Sequence, residues 1–305
     1  MAGDIPFKRD LEFEYGTLEP VAPGIRRIVA RNPSAFTAYG TGTYVIGHGK
    51  VAVIDPGPMI QEHVDALLGA LEGEDVTHIL ITHTHIDHSP AAAPIKAALG
   101  VKTYGFGPHG SGRYAPGEQV EEGGDADFVP DVTLGHGDII EGSGWSVEAV
   151  HTPGHTSNHL CFQLREEKAL FSGDHVMGWS TTIVSPPDGD MADYLASLRL
   201  LLGRDDEIYW PTHGPSIAKP RPFVRAYLGH RNLRERQILD HLKAETGRIA
   251  DMVPLMYRNV PRELHRAAER SVFAHLIHMC ETGRAACEGE LAVDARYRVA
   301  GPSAP

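Results

Sequence analysis

Residues 82–88 read Thr-His-Thr-His-Ile-Asp-His, directly after the apolar run Thr77-His-Ile-Leu-Ile81 and directly before Ser89-Pro90. The apolar run has the length and composition of a buried strand, so three histidines and an aspartate gather at one strand end. Imidazole and carboxylate suit Zn2+ and related divalent ions, and a turn lets neighbouring side chains aim at one centre as a regular strand cannot. A lone His-x-His says little, whereas His83-x-His85-x-Asp87-His88 within a single turn is a specific signal.

Two ions need more ligands than one turn supplies, which directs attention to isolated His and Asp residues behind other strand-like runs. Three stand out. His155 lies in His151-Thr-Pro-Gly-His155-Thr156 after a run ending at Val150, Asp174 in Ser172-Gly-Asp174-His175 after Ala169–Phe171, and His213 in Pro211-Thr-His213-Gly214 after Ile208-Tyr-Trp210. Sites in open α/β sheets collect beyond the carboxyl ends of the strands. Each of the three obeys that rule.

Further strand-like runs cover Thr43–Ile46, Val51–Ile54, Trp145–Val150, His159–Leu164 and Glu207–Trp210, and helical patterns cover Gln61–Leu71, Pro94–Leu99 and Met191–Leu202. Gly100 is suited to the position just past the second helix. The pattern is α/β. Residues 214–222, Gly-Pro-Ser-Ile-Ala-Lys-Pro-Arg-Pro, read as a linker that divides the chain into domains 1–222 and 223–305. Helix-like runs then follow at 224–244, 248–257 and 261–282, with a candidate hairpin at Arg284–Val299, which is the order of a winged helix.

At 305 residues the chain is long enough for two domains and a core that needs no stapling, and its net charge of −12 gives the whole molecule no electrostatic footprint for nucleic acid. The charge is uneven: residues 223–305 carry +3 and residues 1–222 carry −15. Cys161, Cys280 and Cys287 are too few and too scattered for a disulfide framework. Acids stand where a secretory leader needs an apolar core in Met1–Gly16, and no apolar run approaches membrane-spanning length, so the expectation is a soluble cytoplasmic protein with no membrane partner.

The succession HxHxDH, PGHT, SGD and THG resembles the metallo-β-lactamase superfamily of metallohydrolases across nearly the whole of the first 220 residues. The resemblance implies an αβ/βα sandwich followed by a small winged-helix-like domain. It also implies that His83, His85 and His155 bind a first ion and Asp87, His88 and His213 a second, with Asp174 bridging both. Asp55, in Val53-Ile-Asp-Pro-Gly57, matches the family's early Asp-x-Gly turn and is expected to hold a ligand histidine. Asp87 and Asp174 are the expected catalytic carboxylates. Two divalent ions, with zinc the first choice and iron or manganese the alternatives, would share a hydroxide as nucleophile and polarise the scissile bond, and Asp87 is placed for general-base work.

The glyoxalase II type continues HxHxDH with Gly-Gly, whereas this chain has Ser89-Pro-Ala-Ala-Ala-Pro94, which weakens a glutathione-thioester assignment. The C-terminal region, with His230–Leu239, resembles the lactamase-like endoribonucleases. For phosphate contacts the candidates are Arg225, Arg231, Arg234, Arg236, Arg262, Arg266 and Arg270, diluted by Glu235, Glu263 and Glu269. A polyanion would approach a −15 catalytic half against its field, so the expected substrate is a small ester, thioester or lactone. Single-stranded RNA is the alternative, and a non-catalytic nucleic-acid-binding or regulatory protein with structural metals is the second. The C-terminal domain is expected to shape the mouth of the site and to serve a possible homodimer. Residues 179–188 are expected to line that mouth. Tyr194 is read as a packing residue with an oxyanion donor as the rival role, and His78, His109, His136, His151, His159 and His175 as surface histidines or supports behind the ligands, with His151 and His175 set apart because they adjoin ligand candidates.

Overall fold

The computed structural model describes residues 5–110 and 123–301; the leader reading drew in part on Met1–Asp4, which lie outside the described residues. A first sheet contains β1 (Glu19–Ala22), β2 (Ile25–Val29), β3 (Gly42–Ile46), β4 (Lys50–Ile54), β5 (Asp75–Leu80), β6 (Thr103–Gly105) and β7 (Val132–Thr133), side by side in that order. A second contains β8 (Ile139–Glu141), β9 (Ser146–His151), β10 (Leu160–Leu164), β11 (Ala169–Gly173), β12 (Ile208–Pro211) and β13 (Ile217–Ala218), also in consecutive order. Pairing is antiparallel except from β4 through β7 and between β11 and β12.

Strand alternation makes four layers of these two sheets. Tyr44, Ile46, Ala52 and Ile54 face Val147, Ala149, Leu160 and Phe162 across the sheet–sheet interface. The intervening Val45, Val51 and Val53 point the other way, onto Val64 and Leu67 of α1 (Gln61–Ala70) and Ile95 of α2 (Ala92–Leu99). Both faces are therefore buried, which is why these strands read as continuous apolar runs. Gly100 ends α2 in the left-handed conformation that the sequence called for. On the opposite side Cys161, Leu170 and Tyr209 meet Tyr194, Leu195 and Leu198 of α3 (Met191–Gly203), with Phe223, Val224 and Tyr227.

Those last three residues correct the linker reading of 214–222. Ile217–Ala218 is the edge strand β13, and Pro220 opens α4 (Pro220–Lys243). A proline in the first turn lacks only an N–H that would be unpaired there. Helix α4 buries its first half against α3, and its second half supplies Ile238 and Leu242 to a C-terminal core. That core is completed by α5 (Ile249–Met256), a 3-10 turn at Arg262–Leu264, α6 (His265–Glu281) and the hairpin β14 (Ala285–Glu288) and β15 (Arg296–Val299). Helices followed by a two-stranded wing make a winged helix. Among the described residues no helix is long and apolar enough to cross a membrane.

Candidate metal centre

All seven proposed ligands lie just beyond strand ends on one edge of the sandwich: His83, His85, Asp87 and His88 after β5, His155 after β9, Asp174 after β11 and His213 after β12. The structure brings them into three overlapping groups, His83/His85/His155, His83/His88/Asp174 and Asp87/His88/His213, in each of which one ligand atom per residue lies within 4.8 Å of the others. Asp174 is central, its Oδ2 standing 3.4 Å from His213 Nε2, 3.6 Å from His88 Nε2 and 3.9 Å from His155 Nε2. Asp87 Oδ2 lies 3.1 Å from His213 Nε2.

Hydrogen bonds on the far side of each ring decide which nitrogen faces inward. His155 Nδ1 donates to the Ile183 carbonyl at 2.7 Å, His213 Nδ1 to the Gly40 carbonyl at 3.1 Å, and His88 Nδ1 to Asp55 Oδ2 at 2.9 Å. Thr82 Oγ1 spends its proton on Asp55 Oδ2 at 2.7 Å and so accepts from His83 Nδ1 at 3.1 Å. Four histidines are thereby fixed with Nε2 turned to the centre, while His85 turns Nδ1 inward, 3.0 Å from His83 Nε2 and 3.2 Å from His155 Nε2. Asp55 does what its turn implied. It sits at a left-handed φ of 48° and also receives the Thr82 N–H at 2.7 Å and the Thr212 hydroxyl at 3.1 Å.

Electrostatics separate the cluster into two kinds of imidazole. Burial pushes His83 well below the usual histidine range, and the neighbouring His88, His85 and His155 add to the effect. His88 and His213 go the other way: burial opposes the charged form, but Asp87 and Asp174 overcome it, raising His213 to about 10 and His88 well above its ordinary value. Burial alone would raise Asp87 and Asp174; His88 and His213 hold both well below the carboxylate range. A cation entering this cluster displaces protons from imidazoles, as ligand deprotonation requires.

The donor set fits a divalent metal. Ligand nitrogens around a tetrahedral zinc ion stand about 3.3 Å apart, which matches the 3.0 and 3.2 Å spacings within the three-histidine group. His88 Nε2 and Asp174 Oδ1 are buried and make no hydrogen bond among the described residues, the condition of groups whose partner is an ion. His85 and Asp87 are half-buried while His83 and His88 are fully buried, so the centre opens to solvent on the His85–Asp87 side.

Some contributors were not singled out in the sequence. His159 is buried, stacks on His83 with ring centres 5.1 Å apart, and accepts the Asp174 N–H at Nε2. Its nearest signal is Gly173, at a φ of 50°, where a Cβ would stand 2.6 Å from His159 Nε2. Gly154 of the PGHT turn has a φ of 133°, and a Cβ there would meet the Tyr194 backbone at 2.3 Å. Tyr194 itself is buried and donates its hydroxyl to the His175 carbonyl at 2.8 Å, which removes the oxyanion role and leaves the packing one. His78, set against Tyr104 and Trp145, and His151, stacked on Phe106, join none of the ligand groups, nor do His109, His136 and His175.

An αβ/βα sandwich with histidines and aspartates gathered beyond its strand ends defines a metallohydrolase scaffold. The chain belongs to the metallo-β-lactamase superfamily, which residues 37–213 match, and residues 249–294 match the β-lactamase-associated winged-helix domain. It is a hydrolase of that superfamily. It is 31% identical to the β-lactamase-like protein 2 homolog of Caenorhabditis elegans, covering 87% of each chain. It is also 31% identical to the atrochrysone carboxyl ACP thioesterase of Claviceps purpurea, over 74% of this chain and 67% of that one. The crystal structure of a β-lactamase domain protein from Burkholderia ambifaria superposes with a TM-score of 0.79 at 22% identity, covering 97% of both chains, and shares the fold.

Proposed function

We propose that this protein is a binuclear, zinc-dependent hydrolase of a small thioester or ester, with a lactone as the third substrate of the same chemistry. The observation that carries the reading is the continuity of the seven-residue cluster, with Asp174 between a three-histidine group and an Asp-His-His group. His83, His85 and His155 would hold one ion, Asp87, His88 and His213 the other, and Asp174 both. Bound there, two divalent ions supply a Lewis acid and lower the pKa of water toward neutrality. The protein's own part is positional. Asp55 orients His88 directly and His83 through Thr82, while His159 fixes the Asp174 backbone. Asp87, with its side chain 22% exposed on the open side, orients an attacking water and takes its proton.

Three features support a small, partly apolar substrate. Ile86, between two ligand candidates, is 56% exposed on that open side. The thioesterase relative favours acyl transfer to water. Of the seven arginines considered for phosphate contacts, Arg231 is buried, Arg234 stacks on Tyr257 and bonds the Met256 carbonyl, and Arg270 reaches Pro186 and Ser185. Three cations are thus engaged inside the molecule. The free thiols Cys161, Cys280 and Cys287 suit a reducing cytoplasm.

Elemental analysis of zinc-loaded protein, followed by a panel of esters, thioesters, lactones and single-stranded RNA, tests the reading. We expect two ions per chain and turnover of an acyl substrate. Faster processing of RNA than of every acyl compound would replace it with an endoribonuclease.

A further inference from the structure

The turn that carries His155 is held by a strap, residues 182–190, and the strap is held by the C-terminal helices. The Ile183 carbonyl accepts the His155 Nδ1 proton at 2.7 Å, Asp188 Oδ2 accepts the Ser157 N–H at 3.1 Å, and the Asp190 N–H donates to the Gly154 carbonyl at 2.9 Å. Thr182, next to Ile183, is buried and donates its hydroxyl to the Asp174 carbonyl at 2.7 Å and the His175 carbonyl at 3.0 Å. One dipeptide therefore touches both the His155 and the Asp174 turns. Its Thr182 carbonyl accepts in turn from the Arg231 guanidinium, which comes from α4.

Arg231 is an expensive way to make that contact. It is 3% exposed, and among the described residues no carboxylate forms an ion pair with it. A buried charge without its counter-ion carries a desolvation penalty of several kcal/mol, and an apolar residue in such a place is commonly neutral or stabilising. What the guanidinium gains is geometry. It lies 4.9 Å over the Tyr194 ring, and the Tyr194 backbone is the wall against which Gly154 of the His155 turn packs. Arg270 of α6 grips the same strap further along, at 3.3 Å from the Pro186 carbonyl and 3.5 Å from Ser185 Oγ.

We propose that Arg231 is a positioning residue for the metal centre: by fixing Thr182–Ile183 it sets the direction of the His155 imidazole, and so the affinity and geometry of the His83/His85/His155 site. The inference rests on His155 being a ligand, as proposed above. Because coupling between two equilibria is reciprocal, metal binding at that site also strengthens the docking of α4 on the strap.

The test uses the full chain. Zinc affinity is measured by competition with a chromophoric chelator, and the visible spectrum of the Co2+-loaded protein is recorded for wild type, Arg231→Met, Arg231→Lys and Arg270→Met. We expect Arg231→Met to weaken one of the two sites about tenfold, the scale typical when a group supporting a metal ligand is lost, and to shift the Co2+ spectrum. Arg231→Lys should recover much of the loss, and Arg270→Met, at a half-buried position, should weaken the same site by less than Arg231→Met does. A purely structural role would lower stability and leave metal affinity and the spectrum alone. Wild-type affinities and an unshifted spectrum in Arg231→Met, or in Arg270→Met if the former does not fold, overturn the proposal. A wild-type chain that takes up a single ion refutes the binuclear reading instead, and the comparison of variants on that ion still decides the role of Arg231.

Discussion

Two histidine clusters of this molecule are satisfied in opposite ways. In the C-terminal domain His275 and His278 of α6 turn Nδ1 to one carboxylate, Glu235 of α4, at 3.4 and 2.8 Å, and Arg284 closes the other oxygen. That cluster contains its own anion. At the strand ends His83, His85 and His155 converge on one another with nitrogen spacings of 3.0 and 3.2 Å, and Asp174 Oδ2 stands 3.9 Å from His155 Nε2. Histidines arranged around an anion complete a structure, and histidines arranged around each other's lone pairs call for a cation.

Removing carboxylates from the metal centre and from the C-terminal cluster is the strongest way to break this contrast. Asp174→Ala and Asp87→Ala should each lower kcat/KM by roughly a thousandfold with an unchanged circular dichroism spectrum, because the apolar core lies elsewhere. Glu235→Ala should instead leave turnover of the folded protein within a few-fold of wild type and cost about 1 to 3 kcal/mol in urea denaturation, since it leaves the buried His275 ring and the His278 and Arg284 donors without their shared acceptor. Unchanged kcat/KM in both aspartate variants, or full stability in Glu235→Ala, would dissolve the distinction.

Acid sharpens it further. Burial pushes His275 down to about 4, with Glu235 only partly offsetting it, and burial together with Arg231 pushes His230 to about 3. Unfolded, both would titrate near 6.5. Between those values the unfolded chain binds protons that the folded chain refuses, so their contribution is complete above pH of about 6.5 and declines as pH falls toward 4. Glu235 acts in the same direction lower down. Burial would raise it, its cationic partners hold it at about 2, and its stabilisation is lost as pH drops through the range below 4.5. In metal-free protein the loss of stability between pH 7.5 and 5.0 should be smaller in His275→Gln than in wild type, by on the order of 2 kcal/mol. Equal losses would show that His275 does not titrate in this way.

The convergence of the candidate site was legible in the sequence because the residues proposed as ligands sit in short turns immediately behind apolar strands, and the Asp-Pro-Gly turn at Asp55 was legible for the same reason. The supports were not. Thr212 meets Asp55 across 157 residues of chain and His159 meets the Asp174 backbone across 15, through sheet registers that no local pattern encodes. Arg231 and Glu235 are a different case. Phe223, Tyr227, Arg231, Glu235, Ile238 and Leu242 are the buried stripe of α4 at helical spacing. Two charges on that stripe are a readable sign of core positions, although Arg231 and Glu235 by residue type alone suggest a solvent-facing phosphate contact and its diluent. Pro220 is ambiguous in the sequence because proline signals both a break and a helix start, and here it opens α4.

The proposed binuclear centre is tested most directly by anomalous diffraction at the zinc edge from crystals of the zinc-loaded chain. We predict two peaks, one enclosed by His83, His85 and His155, the other by Asp87, His88 and His213, with the Asp174 carboxylate between them. A single peak, or two peaks with Asp174 remote from either, would contradict it.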